Sequence, residues 1–369
     1  MLNKFANLFG RTGGVGLEIT PERLNIAQLN KQGLSYKLAT LETVEMPEGI
    51  VEQGKIVDSP TLAEMIQQLM TTHKIRTKRV ATAIPMREAI IRIIPIPAEL
   101  NEQELHDIVL NHEAALYLPY PREEVDLDYQ TLDTFEDEDG IEKRQVLLVA
   151  TRQEITDSYV TTLQQAGLEI DILEVNSFSL IRTIREQLRQ FGSKEASVLI
   201  DIEFDSTEIA ILVNGIPQFS RTIPIGTFQL QSSLSRAMNL PPTRSPDILQ
   251  GMVIPMIGET TLGTQGTRGA AINPGMQALM RSLGEISDEI QRSISFYRSQ
   301  SEDLEIAQIL LAGPGGGLHQ LDEFFTQRLN IPAVQIDPIS SLSLMIDKEI
   351  SPIERSGLAT VIGLSLREV

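Results

Sequence analysis

Residues 200–212, IDIEFDSTEIAIL, constrain this chain more than any other stretch because they occur twice. Moved back by 183 positions they fall on residues 17–29, LEITPERLNIAQL. Val15/Val198, Ile19/Ile202, Ile26/Ile209, Ala27/Ala210 and Leu29/Leu212 are then identical, and Glu18 meets Asp201. Each copy alternates apolar and polar residues on either side of a short polar turn, the pattern of two paired strands. Each ends its first strand on a carboxylate and reaches a glycine (Gly33, Gly215) after the second. The separation is far too long for a solenoid, whose units recur every ~20–50 residues. It predicts two similar domains, each presenting an acid-bearing hairpin to one cleft. A chain of 369 residues has room for both, since single cores stop growing near ~250–300 residues.

Charge narrows what such a cleft can meet. Fifty acidic residues against 31 basic ones give a formal charge of −19. Nonspecific nucleic-acid binding needs Lys and Arg to neutralise phosphates, so it is not expected. The same charge opposes attraction of the whole surface to anionic lipid. The absence of cysteine removes disulfides, thiolate metal sites and cysteine nucleophiles, and fits a reducing compartment. His73, His106, His112 and His319 form no HxH or HxxxH pair. No stretch approaches the ~20 apolar residues of a membrane span. The opening MLNKFANLFGRTGG is too short and polar for a signal peptide. It reads either as a frayed tail or as a short partner-binding helix with Leu2, Phe5, Leu8 and Phe9 on one face.

In chain order, residues 14–41 read as three strands broken at Pro21-Glu22 and at Lys31-Gln32-Gly33. Ser59-Pro60 opens a helix, with Ser59 as its cap. VATAI at 80–84 is a short apolar run, as in a buried parallel strand. A strand at 89–96, a helix at 101–116 with Leu105, Ile108, Val109 and His112 on one side, and strands at 125–132 and 145–150 form an inserted α+β unit. A helix at 153–166, a strand at 168–175 and a helix at 177–189 close the first half. The resulting plan is an α/β chain with a tail at 1–13, a first domain at 14–194 and a second at 195–369. The insertion spans about 87–152, and a second subdomain about 227–305. The latter contains a Gly-, Pro- and Thr-rich segment, 258–275, read as a flexible loop.

Chemistry concentrates in three places. In ILLAGPGGGLHQL, 309–321, glycines follow a buried strand and let a ligand approach the backbone. No Lys-Ser/Thr follows, so it is no Walker loop; the plain alternative is a tight strand-to-helix turn. The two hairpins supply the rest. Glu18 and Asp201 could approach a Mg²⁺ ion directly or through water. The turns, with Thr20 in one and Ser206 and Thr207 in the other, could offer hydroxyl and N–H groups to phosphate. Neither turn contains glycine, Pro21 has no N–H, and Glu203 and Asp205 put negative charge where phosphate would lie.

Two acid hairpins, a late glycine-rich turn and the inserted unit follow the order of the actin-like (ribonuclease H-like) ATPases. PEGIVEQGKIVD at 47–58, EAALYLPYPREEVDLDYQ at 113–130, SFYRSQ at 295–300 and LATVIGLSLR at 358–367 closely resemble the PilM family. These are cytoplasmic type IV pilus assembly proteins related to the cell-division protein FtsA. The resemblance covers residues 14–367 and is most specific in EAALYLPYP…VDLDY. It implies a two-domain actin-like fold with an FtsA-type inserted subdomain, and ATP with Mg²⁺ in the cleft. Glu18 and Asp201 then match the two phosphate-motif acids, Gly226 lies near the ribose, and Gly313, Gly315 and Gly316 form the adenosine motif. It further implies an adaptor that sits at the inner membrane through its partners. Those partners are a PilN-like inner-membrane protein, whose N-terminal tail lies beside the inserted subdomain, and other pilus components including motor ATPases, with room for a homo-oligomer or ring.

The family's phosphate motifs read like D-I-G-S; here they are Glu18-Ile19-Thr20-Pro21 and Asp201-Ile202-Glu203-Phe204, and Pro314 replaces a glycine. Unit charges ~4 Å apart repel by about 1–4 kcal/mol at high effective dielectric, up to a thousandfold in affinity. The expected function is therefore an adaptor that binds nucleotide weakly or structurally. The alternatives are an ATPase whose hydrolysis switches partner affinity, and a small-molecule kinase of the same fold.

Overall fold

The computed structural model describes residues 12–33, 35–244, 247–255, 273–300 and 304–367. The face proposed for Leu2, Phe5, Leu8 and Phe9, and nearly all of the 258–275 segment, lie outside them.

The chain opens on the three expected strands, β1 (Thr12–Ile19), β2 (Arg23–Gln32) and β3 (Ser35–Glu45). A small hairpin, β4 (Val51–Glu52) and β5 (Lys55–Ile56), leads into the helix Ser59–Thr72. Asp58, not Ser59, caps that helix, accepting from the Thr61 N–H at 3.1 Å and the Thr61 hydroxyl at 2.6 Å. A carboxylate one position earlier satisfies the free N–H groups and leaves Ser59 and Pro60 in the first turn. Next comes β6 (Arg79–Ile84), buried from Val80 to Ile84 as a strand between two parallel neighbours should be; its one buried polar residue, Thr82, donates its hydroxyl to the Leu17 carbonyl at 2.8 Å. The insertion holds β7 (Ala89–Pro97), β8 (Val125–Glu136) and β9 (Glu142–Arg152), an antiparallel sheet in the order β7-β9-β8. The helix Gln153–Gln165 and β10 (Glu169–Val175) return the chain to the first sheet.

The second half repeats the first. Its strands are β11 (Glu195–Ile202), β12 (Thr207–Val213), β13 (Ile216–Ile223), β14 (Glu305–Ala312) and β15 (Ala333–Gln335). One sheet runs β10-β6-β1-β2-β3 and the other β13-β12-β11-β14-β15, the same order read from opposite ends. In each, an antiparallel three-strand meander carries two parallel strands on its first member. The register also repeats: Glu18 pairs with Asn25 and Leu17 with Ile26, while Asp201 pairs with Glu208 and Ile200 with Ile209. All four correspondences carry the 183-residue offset of the sequence repeat.

Three helical segments depart from a simple periodic reading. Residues 101–116 are not one continuous α-helix: Glu102–Asp107 is followed by a π-helical segment Ile108–Glu113 and then Ala114–Tyr117. The extra residue per turn rotates the face, so Leu105, Val109 and Ala114 are buried while the His112 side chain is 68% exposed. The helix after β10 is interrupted at Ile184, giving Asn176–Thr183 and Arg185–Leu188. The last helix, Ala359–Ser365, returns to the first sheet, where Val361 and Ile362 join Ala27, Leu29 and Leu38 in one apolar cluster. Gly16 on β1 makes that approach feasible, since a Cβ there would lie 2.4 Å from the Val361 carbonyl oxygen. Among the described residues no helix is long and apolar enough to cross a membrane.

Candidate functional site

The cleft lies where the strand ends of the two sheets face each other, the usual place for a ligand in open α/β sheets. Its walls are Glu18–Pro21 at the end of β1, Ala83 of β6, Asn176 after β10, Glu203, Asp205 and Ser206 after β11, and Thr360 of the last helix.

The repeat places Glu18 and Asp201 at equivalent positions, both buried, but their surroundings differ. Asn25, the register partner of Glu18, donates its amide to Glu18 Oε2 at 2.6 Å. Burial still pushes the Glu18 carboxyl up to about 7, against the opposing pull of Arg23. In the second lobe the residue equivalent to Asn25 is Glu208, which cannot donate as a carboxylate. Among the described residues neither oxygen of Asp201, both buried, has a hydrogen-bond partner. Burial raises its pKa, and Glu203, Glu208 and Glu18 raise it further. Glu208 is itself pushed up to about 7 by burial, opposed by the Asn176 amide that donates to it at 2.8 Å.

The two acids that depart from a phosphate cradle are met by arginines of the first lobe. Arg23 Nη2 stands 3.8 Å from Glu203 Oε1 and donates to the Gly357 carbonyl at 2.9 Å. Arg87 brackets Asp205: its Nη1 donates to Oδ2 at 3.2 Å, and its Nη2 contacts both Oδ1 and the Ser206 hydroxyl. A third link runs the other way, with Arg244 donating to the Pro21 carbonyl at 2.6 Å across the face of Phe204. Buried or partly buried pairs of this kind hold two surfaces in one register, because removing either partner strands the other charge.

Every hydroxyl expected to meet phosphate is already engaged. Thr20 Oγ1 closes its own turn, donating to the Arg23 carbonyl and accepting from the Arg23 N–H, both at 3.0 Å. Ser206 accepts from Arg87, and Thr207 donates to the Ile225 carbonyl at 2.7 Å. The glycines fit protein against protein. A Cβ on Gly226 would lie 2.4 Å from the Glu203 carbonyl oxygen, one on Gly313 2.5 Å from Asp201, and one on Gly315 2.4 Å from Ile202. Gly316 packs back on Leu311. The expected strand-to-helix turn at 313–316 is itself a single helical turn, Gly313–Gly316. What remains open in the cleft is about 40 Å³, against ~300–1,000 Å³ for typical small-molecule sites. In this arrangement the residues present do not form a triphosphate cradle. No group of three or more His, Cys, Asp or Glu comes together as a metal site among the described residues.

Arg23, Arg87 and Arg244 escape a reading by motif. Their only signal in the sequence is indirect: acids at 203 and 205, if buried, demand counter-charges. On the inserted unit, the helix end and following loop expose Leu116 (76%), Tyr117 (36%) and Tyr120 (41%). The Arg152 guanidinium lies 5.5 Å from the Tyr120 ring centre.

Two topologically equivalent sheets, an acid from each at the shared cleft and a late glycine turn define an actin-like fold. Residues 16–245, more than half of the chain, match the family model of the type IV pilus assembly protein PilM, and the chain belongs to that family. A solved PilM-PilN type IV pilus biogenesis complex is similar over 97% of this chain and 99% of that one, at 23% identity and a TM-score of 0.80. The ethanolamine utilization protein EutJ of Carboxydothermus hydrogenoformans is 13% identical, with 96% and 89% covered and a TM-score of 0.52. MreB5 of Spiroplasma citri, solved bound to ADP, is 11% identical, with 95% and 94% covered and a TM-score of 0.51.

Proposed function

We propose that this chain is an adaptor of type IV pilus assembly that captures the N-terminal tail of a PilN-like inner-membrane protein and does not work by nucleotide turnover. The observation that carries this reading is the cleft. Glu203 and Asp205 are paired with the protein's own arginines, and the cleft's hydroxyls are committed to protein partners. A nucleotide would have to displace the Arg87–Asp205 and Arg23–Glu203 pairs and then meet two bared acids, so it is held weakly. Glu18 and Asp201 are the groups that would meet an accompanying Mg²⁺. The division at residues 194/195 belongs to the same proposal, with the last helix crossing back to the first lobe. The partner's tail lies beside the inserted unit, where Leu116, Tyr117 and Tyr120 offer apolar surface, and it draws the chain to the inner membrane. The solved complex of a PilM with a PilN supports that choice of partner.

A synthetic peptide of the partner's N-terminal tail should bind the full chain and slow hydrogen exchange within residues 89–130. Protection confined to 200–230 would sink the placement. Calorimetry with Mg-ATP should give no tighter than high-micromolar affinity. Micromolar binding, with turnover lost in Asp201→Ala, would overturn the adaptor reading in favour of an ATPase.

A further inference from the structure

A recess of about 520 Å³ lies at the far end of the interrupted helix that leaves the cleft. Its walls come from both halves of the molecule: Phe178–Arg189 of that helical pair, Phe191 of the connector, and the β12–β13 turn Asn214-Gly215. Asn176 is the residue that donates to Glu208 in the cleft, and among the described residues none lines both the cleft and the recess, so the recess is a separate site.

Its lining is unlike the rest of this surface. The chain carries 50 acids and 31 basic residues, yet among the described residues three arginines and no acid line the recess. Phe178, Ile181 and Phe191 form a partly exposed apolar floor on the edge of the first core, with Leu188 buried between them. Two of the arginines are already engaged. Arg182 holds Glu174 at 2.7 Å, and Arg189 pairs with Glu186 at 2.6 Å. Arg185 is exposed, and its guanidinium has no ion-pair or hydrogen-bond partner among the described residues. A guanidinium presents a planar fork of donors that matches carboxylate, sulfonate and phosphate groups. The volume falls within the ~300–1,000 Å³ of small-molecule sites, which favour domain junctions and an apolar lining with few charged groups.

We propose that this recess binds a small organic anion, with its charged head against Arg185 and an apolar or aromatic body on Phe178, Ile181 and Phe191. A cation meets the uncompensated charge of Arg185, the other two arginines being paired with Glu174 and Glu186, and a neutral hydrophobe brings nothing to pair with Arg185. An occupant touches the helix of the first lobe and the turn of the second at once, so it damps motion in both.

The test uses the full chain and the fluorescent aromatic anion anilinonaphthalene sulfonate, which is bright only where water is excluded. One saturable site is expected, displaced by octanoate and not by octylamine, and weakened at least tenfold in Arg185→Glu. The surface variant Arg298→Glu should bind as the unaltered chain does. Octanoate alone should slow hydrogen exchange in residues 176–191 and 212–217. Arg185 is exposed, so its variant should melt with the parent; if it does not, the exchange pattern in the unaltered chain decides. Equal affinity in Arg185→Glu, equal displacement by octylamine, or protection elsewhere with none at these two segments would each overturn the proposal.

Discussion

Asp201 and Glu208 show how one change of residue type alters a site. In the first lobe an amide, Asn25, neutralises the hydrogen-bonding demand of Glu18. In the second a carboxylate occupies the equivalent position, so two acids face each other and Asp201 has no donor among the described residues. Glu208→Gln restores an amide there while the Asn176 contact can still be made. The sign of its effect follows from the titration. Glu18 and Glu208 have folded pKa values raised from 4.5 to about 7 by burial. The native state therefore holds protons that the unfolded chain releases, and stability present below about pH 4.5 is lost as pH rises towards 7. Denaturant midpoints should fall over that window. Glu208→Gln should flatten the fall and stabilise the protein by on the order of 2 kcal/mol above pH 7, with little effect near pH 4. A variant as pH-sensitive as the parent would show that Glu208 is not one of the groups responsible.

At the scale of elements, the last helix decides how the halves are joined. It lies against β1 and the helix Asn176–Thr183, and only glycine permits the closeness. A Cβ on Gly363 would come within 1.9 Å of the Ser179 carbonyl oxygen. Gly363→Ala should therefore cost about 1–3 kcal/mol in chemical unfolding, although alanine favours helix, because backbone must move to admit the methyl group. A stabilised variant would mean that propensity outweighs the contact. The strands and most helices were legible from periodicity, because alternation and 3.6-residue spacing are local properties of the chain. The π-helical segment at 108–113 was not. Its sequence, IVLNHE, has no Gly or Pro to mark the added residue, and the face is set by packing under the insertion's sheet, where Leu105 and Val109 lie. The return of the last helix was also hidden, since LATVIGLSLR reads as a buried helix against either half.

For the whole molecule, the two lobes are tied across the cleft by the Arg23–Glu203 and Arg87–Asp205 pairs. The double variant Glu203→Gly with Asp205→Ala removes both bared acids and frees both arginines for an anion. Mg-ATP affinity should rise at least tenfold, since each unit charge removed near the phosphates relieves about 1–4 kcal/mol. Small-angle scattering should show a more open, variable shape without nucleotide. Unchanged affinity would mean that the cleft is closed to nucleotide by shape rather than by charge.

The candidate site divides along the same line. The repeat, its 183-residue offset and the acids Glu18 and Asp201 were readable from the chain alone, and so were the poor credentials of the turns at Thr20-Pro21 and Glu203-Phe204 as phosphate loops. These depend on residue type and local order, which the sequence states directly. Tertiary structure alone decided what meets the acids. Arg87 lies 118 positions from Asp205 and Arg23 lies 180 from Glu203, and no local pattern pairs them. Arg23 and Glu203 meet because two sheets of equal topology place equivalent hairpin turns opposite each other, and Arg87 reaches Asp205 from the turn that follows β6. That placement turns two apparent defects in a nucleotide cradle into the links that hold the cleft together.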